Sequence, residues 1–421
     1  MTVPRLLAII GSGETAPTMT SVHAELFERA GEDARAVMLD TPFGFQENAD
    51  DVAARTVAYF RDSVGREVEI ASFRDAQTAT PLEYERMCAL IAQAGWVFAG
   101  PGSPTYAIRQ WRGTRVPELL TEKLDVGGVV VFSSAAAVGL GELALPVYEI
   151  YKVGATPEWV PGLDLVGHAG LRAVVIPHYN NAEGGTHDTR YCYMGERRLR
   201  VLEAALPDGC GVLGVDEHTA CIIDVDRASV TVRGRGRVIW RRDGIETHWR
   251  APDTVSVEEL ISGGDASRSD PPRATAPFAP VATDREGTDP FMEEVSAQRG
   301  AAVAALAARD PDGVAAAILA METVVHDWSR DTLQSDEPDR AREALRELVV
   351  RLAELAHGGA VDPRERVAPF VDAMLALRDR ARSDGRFADA DALRDALLGN
   401  GIEVRDSPQG STWELEAAPT G

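Results

Sequence analysis

At 421 residues the chain exceeds what one hydrophobic core usually serves, so two domains are expected, and an apolar fraction of 45% supports a large buried interior. A formal net charge of −23 works against non-specific attraction to phosphate backbones or anionic lipid, which removes nucleic acid as the default partner and gives no reason to expect a membrane surface. Four cysteines, Cys88, Cys192, Cys210 and Cys221, are widely spaced without a C-x-x-C pair, arguing against a zinc site and a disulfide framework; no apolar run approaches ~18 residues, and a soluble cytoplasmic protein is expected.

Arg5 to Ile10 reads as a first strand, followed by the turn Gly11-Ser12-Gly13-Glu14 and a helix through Val22 to Ala30. The turn lacks the third glycine of a dinucleotide fingerprint and the Gly-Lys-Ser/Thr of a P-loop, so no nucleotide role is assigned to it. Ala36 to Leu39 is a second strand, with Asp40 at its carboxyl end before an amphipathic run, Ala49 to Arg61. Val68 to Phe73 and Gly95 to Ala99 repeat the pattern around a helix from Leu82 to Ala94. Strands alternating with helices imply a mostly parallel, doubly wound α/β sheet, whose sites gather at the carboxyl ends of strands. Later strands are expected at Ala173 to Ile176, Gly211 to Val215 and Ala220 to Val225, with a hairpin-like pair around Arg233 to Arg242. Residues 263–290, rich in Pro, Ala, Ser, Thr and Asp, read as a flexible linker between a domain at 1–262 and a small helical domain at 291–421.

The chemistry centres on Val129 to Glu142, VVVFSSAAAVGLGE, a buried strand breaking into a small-residue helix with a serine at the break. That is the form of a nucleophile elbow, although a serine there also reads as a plain helix N-cap. Acyl transfer further needs a base, a group that orients it, and backbone donors for the oxyanion. His178 follows an apolar strand and is the candidate base; Glu149 lies between serine and histidine and is the candidate acid, with Glu142, Glu158 and Asp164 as competitors. The amides near Gly102, in the turn Gly100 to Pro104, and of Ala135 are the candidate oxyanion donors. After His178 the chain is dense in polar groups suited to hold a substrate, among them Asn180, Glu183, His187, Asp188, Arg190, Arg197 and Arg198. A metal gathered by Glu183, His187 and Asp188 with His178 is disfavoured, because His187 and Asp188 are adjacent and no helical H-x-x-x-H pair is present. Cys192 lacks an elbow and reads as a packing residue.

Together these residues resemble the serine peptidase family of cyanophycinase and alpha-aspartyl dipeptidase, over roughly residues 5 to 245. Phe132-Ser133-Ser134-Ala135-Ala136 matches the family's Gly-x-Ser-Ala-Gly elbow at the serine and the alanine but not at either glycine, which makes Ser134 the matched nucleophile. Gly100-Pro101-Gly102-Ser103 looks like the family's Gly-Gly-Gly-Asn turn, and His178-Tyr179 like its histidine before an aromatic. The turn Gly214-Val215-Asp216-Glu217-His218-Thr219-Ala220 matches a cyanophycinase motif in full. The resemblance implies a class I glutamine amidotransferase-like, flavodoxin-type fold and a Ser134, His178, Glu149 triad. Asn180, Arg190 and Glu217 are expected at the substrate, a small peptide or isopeptide-like amide, with no metal and no cofactor. The departures at Phe132 and Ala136 support a second reading, a catalytically disabled binding protein. The geometry at Ser134 separates the two: a strained backbone with the hydroxyl toward His178 for the enzyme, a relaxed helical cap for the alternative.

The carboxyl-terminal run from Leu377 through Phe387 to Leu397, then Gly401 to Asp406 and Gly410 to Trp413, resembles the extreme carboxyl-terminal segment of cysteinyl-tRNA synthetases. It implies two short helices, a glycine cap at Gly401 and a small β-element. That region of the synthetases adjoins anticodon recognition, yet from Asp362 onward eight arginines and no lysine face twelve carboxylates, and the HIGH and KMSKS motifs are absent from the chain. Contact with tRNA or a protein is therefore a subsidiary expectation for this module, and self-association into a homo-oligomer stays open.

Overall fold

A computed structural model of the chain describes residues 3–184, 187–263, 267–269, 290–329, 337–358, 363–407 and 410–415. The chain divides into two compact units, Met1–Phe291 with Val325–Pro338, and Met292–Val324 with Asp339–Gly421. Most of the linker expected at 263–290 lies outside the described residues. No helix among the described residues is long and apolar enough to cross a membrane.

The first unit is built on strands β1 (Arg5–Ile10), β2 (Ala36–Leu39), β3 (Glu69–Ile70), β4 (Trp96–Ala99) and β5 (Gly128–Ser133), then a short pair β6 (Leu143–Ala144) and β7 (Val160–Pro161). Strands β8 (Ala173–Ile176), β9 (Gly211–Val215), β10 (Thr219–Asp224), β11 (Ser229–Gly234), β12 (Arg237–Arg242), β13 (Ile245–Arg250), β14 (Thr254–Ser256) and β15 (Ser267–Ser269) follow. The central sheet runs β14-β11-β10-β1-β5-β4-β2-β3; its pairings from β1 through β5, β4 and β2 to β3 are parallel, and β10, β11 and β14 extend it antiparallel. Apolar residues on both faces of each inner strand make this sheet possible. Leu7, Ile9, Val130 and Phe132 pack on one side with the helices Pro81–Gln93 and Val116–Asp125; Leu6, Ala8, Ile10, Val129 and Val131 pack on the other with Thr20–Ala30 and Ala49–Tyr59.

The structure adds a second sheet that strand periodicity did not announce, in the order β15-β13-β12-β9-β8. The pair expected around Arg233 to Arg242 is not a hairpin: β11 joins the central sheet through β10, whereas β12 lies between β9 and β13. The chain crosses from one sheet to the other at Gly234-Arg235-Gly236, where the Gly236 amide donates to Thr219 Oγ1 (2.8 Å) and Arg235 N to His218 O (3.0 Å). The carboxyl ends of β1 and β8 are tied across the sheets by His178 N to Gly11 O (3.3 Å), and Tyr179 N donates to Val215 O (3.1 Å). Asp40, at the end of β2, is consumed structurally: it accepts from Ser72 Oγ (2.7 Å), Phe73 N (3.0 Å) and Arg74 Nε (2.7 Å).

The second unit holds the helices Glu337–Gly358, Pro363–Ser383 and Phe387–Leu398 and a hairpin of β16 (Ile402–Ser407) and β17 (Gly410–Leu415). The last two helices and the hairpin enclose Val371, Leu375, Leu397, Ile402, Val404 and Trp413. Helix Phe387–Leu398 is capped at Gly399, and Gly401, expected as the cap, makes the following turn at φ +77°. Arg378, 2% exposed, donates through both terminal nitrogens to Asp406 (2.7 Å each), and Trp413 Nε1 donates to Asp372 (3.1 Å). These bonds use arginine and carboxylate to hold the module together, so the polar composition here is partly internal.

Candidate active site

The elbow forms without the two glycines. Strand β5 ends at Ser133, and the helix Ser134–Val138 starts at once with Ser134 at φ +49°, the left-handed region that a non-glycine residue enters only when its surroundings force it. Phe132 points away from the turn into the core beside Trp111, and Ala136 is buried with its amide donating to Gly100 O (3.2 Å). Neither Cβ opposes the bend. The Ser134 hydroxyl lies 2.9 Å from His178 Nε2, the strained geometry of the enzymatic reading.

His178 also has a left-handed backbone, φ +49°, and its carbonyl accepts from Asn181 N and Cys192 N (3.1 Å each). Its Nδ1 is 2.8 Å from Glu217 Oε1. A carboxylate only accepts, so Nδ1 carries the proton and Nε2 of the neutral ring accepts from Ser134 Oγ–H. Burial works against charging the imidazole, but the bond to Glu217 and the charges of Glu217, Glu14 and Glu183 outweigh it and raise its pKa. Burial likewise opposes the charge on Glu217, and its bonds to His178 and Asn181 hold its pKa below the usual range.

The acid at the histidine is therefore Glu217, not Glu149. Glu149, on the helix Val147–Tyr151, accepts from Thr105 Oγ1 (2.6 Å). Glu217 was expected at the substrate, and the two other residues placed there also have protein partners. Asn180 Oδ1 accepts from the Glu217 amide (2.7 Å), and Arg190 is clasped to Asp188 by Nε and Nη2 (2.9 Å each). The full motif match at Gly214 to Ala220 contained the signal: a buried turn at the end of β9 with a carboxylate in it. The groups weighed as metal ligands are dispersed, with Glu183 accepting from Tyr193 Oη (2.9 Å), His187 against Tyr151 Oη (3.3 Å) and Asp188 on Arg190. Cys192 is buried, and burial pushes its thiol far above the ordinary value, so it stays a thiol.

Gly102 sits at φ +140°, where a Cβ would lie 2.0 Å from Pro42 O, and Ser103 N donates to that same carbonyl (2.8 Å). The bond from Ala136 N to Gly100 O joins this turn to the first turn of the elbow helix, so Gly102 and Ala135 flank one rim. Among the described residues, neither amide donates to the carbonyl of a turn or loop.

Beneath the elbow lies a buried layer. Ser133 Oγ donates to Glu14 Oε2 (2.7 Å), and His23 Nε2 donates to Glu14 O (2.8 Å). His23 is enclosed by Tyr59, Phe60, Trp96 and Phe98, and burial lowers its pKa to about 4, opposed only by the bond to Glu14. An unfolded imidazole titrates near 6.5, so this contribution to stability is whole above that pH and is lost as pH falls through about 4. Between neutrality and about pH 4.5 the wild-type protein is expected to lose about 2–3 kcal/mol through this group, and His23→Gln, which can still donate to Glu14, correspondingly less. Urea midpoints at the two pH values check this, and equal losses in the two proteins would refute it.

The chain's likenesses to known proteins differ between its two ends. The first unit has the fold of a solved peptidase from an acI-B1 Actinobacterium, which is 19% identical, covers 60% of this chain and 97% of its own length, and superposes with a TM-score of 0.50. A putative peptidase E protein from Listeria monocytogenes EGD-e is more distant, 13% identical over 55% of this chain and 100% of that one, at a TM-score of 0.38.

The particular match lies at the other end. Residues 365–413 match the family model of the cysteinyl-tRNA ligase anticodon binding domain. The cysteine–tRNA ligase of Desulfovibrio desulfuricans is 50% identical over 48 residues, 11% of this chain and 10% of that protein. That of Bifidobacterium longum is 36% identical over 160 residues, 31% of this chain and 29% of the ligase. The chain thus spans less than a third of the length of these relatives.

Proposed function

We propose that this protein is a serine hydrolase of the peptidase type, cleaving a peptide or isopeptide-like amide. The observation that carries the reading is the continuous relay of Ser134 Oγ, His178 Nε2, His178 Nδ1 and Glu217 Oε1 at 2.9 and 2.8 Å, with the serine at a strained elbow. His178 Nε2 takes the Ser134 proton as Oγ attacks the carbonyl carbon, and we assign the amides of Gly102 and Ala135 to the oxyanion. The tetrahedral adduct collapses with loss of the C–N bond, and Nε2 returns the proton to the leaving amine. Water then repeats the sequence on the acyl-enzyme and frees Ser134. Glu217 keeps the imidazole in the required tautomer and stabilises the imidazolium. The fold shared with a solved peptidase supports the same class, and four separate, buried, free cysteines support a reducing cytoplasmic setting.

The test is to treat the purified chain with a fluorophosphonate and locate the adduct by mass spectrometry. An adduct on Ser134 supports the reading and makes an aspartyl-peptide and isopeptide library the next step. No adduct on folded protein would overturn it in favour of a binding protein.

A second reading concerns residues 365–413 alone, where the family match supports contact with tRNA. Filter binding of total tRNA across a salt series tests it. The excess of carboxylates from Asp362 onward predicts weak, shallow salt dependence, and no retention at low salt would reject it.

A further inference from the structure

We propose that Glu14 is a positioning residue of this site, whose buried carboxylate holds the elbow through Ser133 and presents a negative charge to the imidazolium that His178 becomes in turnover. The proposal rests on the serine-hydrolase reading. Glu14 closes the turn after β1 and is 2% exposed. A carboxylate placed so deep is costly unless it is bonded, and Ser133, itself fully buried, gives it its hydroxyl proton at 2.7 Å. Ser133 is the last residue of β5 and the one immediately before the nucleophile, so this bond fixes the strand end from which Ser134 turns. The other carboxylate oxygen lies toward the oxyanion turn: a Cβ on Gly100 would stand 3.5 Å from Glu14 Oε1. The backbone of Glu14 is pinned in turn by His23. One side chain thus bears on the strand end that presents the nucleophile, on the Gly100 turn and, through its charge, on the base.

Several titratable groups surround His178. Glu217 meets it from the turn after β9, with Asp216 and His218 beside it; Glu183, Cys192 and Tyr193 meet it from the loop that follows His178; Glu14 meets it from the turn after β1. Of the three carboxylates whose charges raise the imidazole's pKa, Glu217 bonds to it directly and Glu183 is paired with Tyr193. Glu14 and His178 are both buried, where a charge is poorly screened.

The experiment titrates the His178 imidazole by NMR in the full chain and, in parallel, follows the fluorophosphonate labelling rate against pH. Glu14→Gln keeps an acceptor for Ser133 and removes the charge, and is expected to lower both midpoints by about 0.5–1 pH unit. Glu14→Asp keeps the charge but shortens the reach to Ser133; it is expected to restore the midpoint while labelling at high pH stays roughly tenfold slow. Ser133→Ala is expected to slow labelling by a similar factor. An unchanged midpoint in folded Glu14→Gln overturns the electrostatic role, and full-rate labelling of Ser133→Ala overturns the hold on the elbow, which remains testable even if Glu14→Gln fails to fold. Wild-type protein that takes no adduct would sink the hydrolase reading instead, and the NMR midpoints would still report the coupling between Glu14 and His178.

Discussion

Glu217→Gln is expected to slow fluorophosphonate labelling of Ser134 by roughly 10²–10³-fold while leaving the fold intact. The glutamine carbonyl can still accept from His178 Nδ1 and Asn181 Nδ2, as Glu217 Oε1 does, but the negative charge is lost. The imidazolium formed when Nε2 takes the Ser134 proton then lacks its counter-charge in a buried site, which raises the barrier. Hydrolysis should fall in kcat rather than in KM, since the lost interaction strengthens only as the imidazolium forms. Glu149→Gln is the informative contrast. Its carboxylate sits on Thr105, so the pH midpoint of labelling should not move. A Glu217→Gln protein that labels at the wild-type rate, or a Glu149→Gln protein whose midpoint falls, would reverse the assignment of the acid.

Gly102→Ala is expected to be the most damaging single change in the backbone of the site. The new methyl would meet Pro42 O at 2.0 Å in a backbone conformation, φ +140°, that side chains rarely adopt. Either the fold loses about 2–4 kcal/mol to the clash, or the turn from Gly100 to Ser103 retreats and withdraws an oxyanion donor, which lowers labelling by roughly 10²–10³-fold. Gly154→Ala provides the control, because φ there is +82° but nothing lies within 4 Å, so only about 1–2 kcal/mol of backbone strain is expected and no change in labelling. Urea midpoints and labelling rates measured together separate the two outcomes, and wild-type values for both would show that Gly102 does not shape the rim.

The elements legible in the sequence are those whose cause is local. Short apolar runs such as Leu6–Ile10 and Val129–Phe132, bounded by turn signals, read as strands covered on both faces, and the small residues after Ser134 let the chain bend and a helix begin. Serine, histidine and the glycine turn could be placed because each follows a strand end directly, and the carboxyl-terminal helices and hairpin were legible from motif order alone.

The identity of the acid was decided by tertiary structure. Glu149 is nearer in the chain to both Ser134 and His178, yet its helix carries it to Thr105, while Glu217, 39 residues beyond His178, reaches the imidazole because β8 and β9 lie side by side and parallel. The same holds for the split of β11 and β12 between two sheets and for Glu14, 119 residues from the serine it holds. Periodicity and turn chemistry report which face of a segment is buried and where it bends. They carry no information on which distant strand end it will meet, because that is settled by how whole sheets pack, and an unpaired carboxylate near a strand end reads the same whether it finds a histidine, a serine or water.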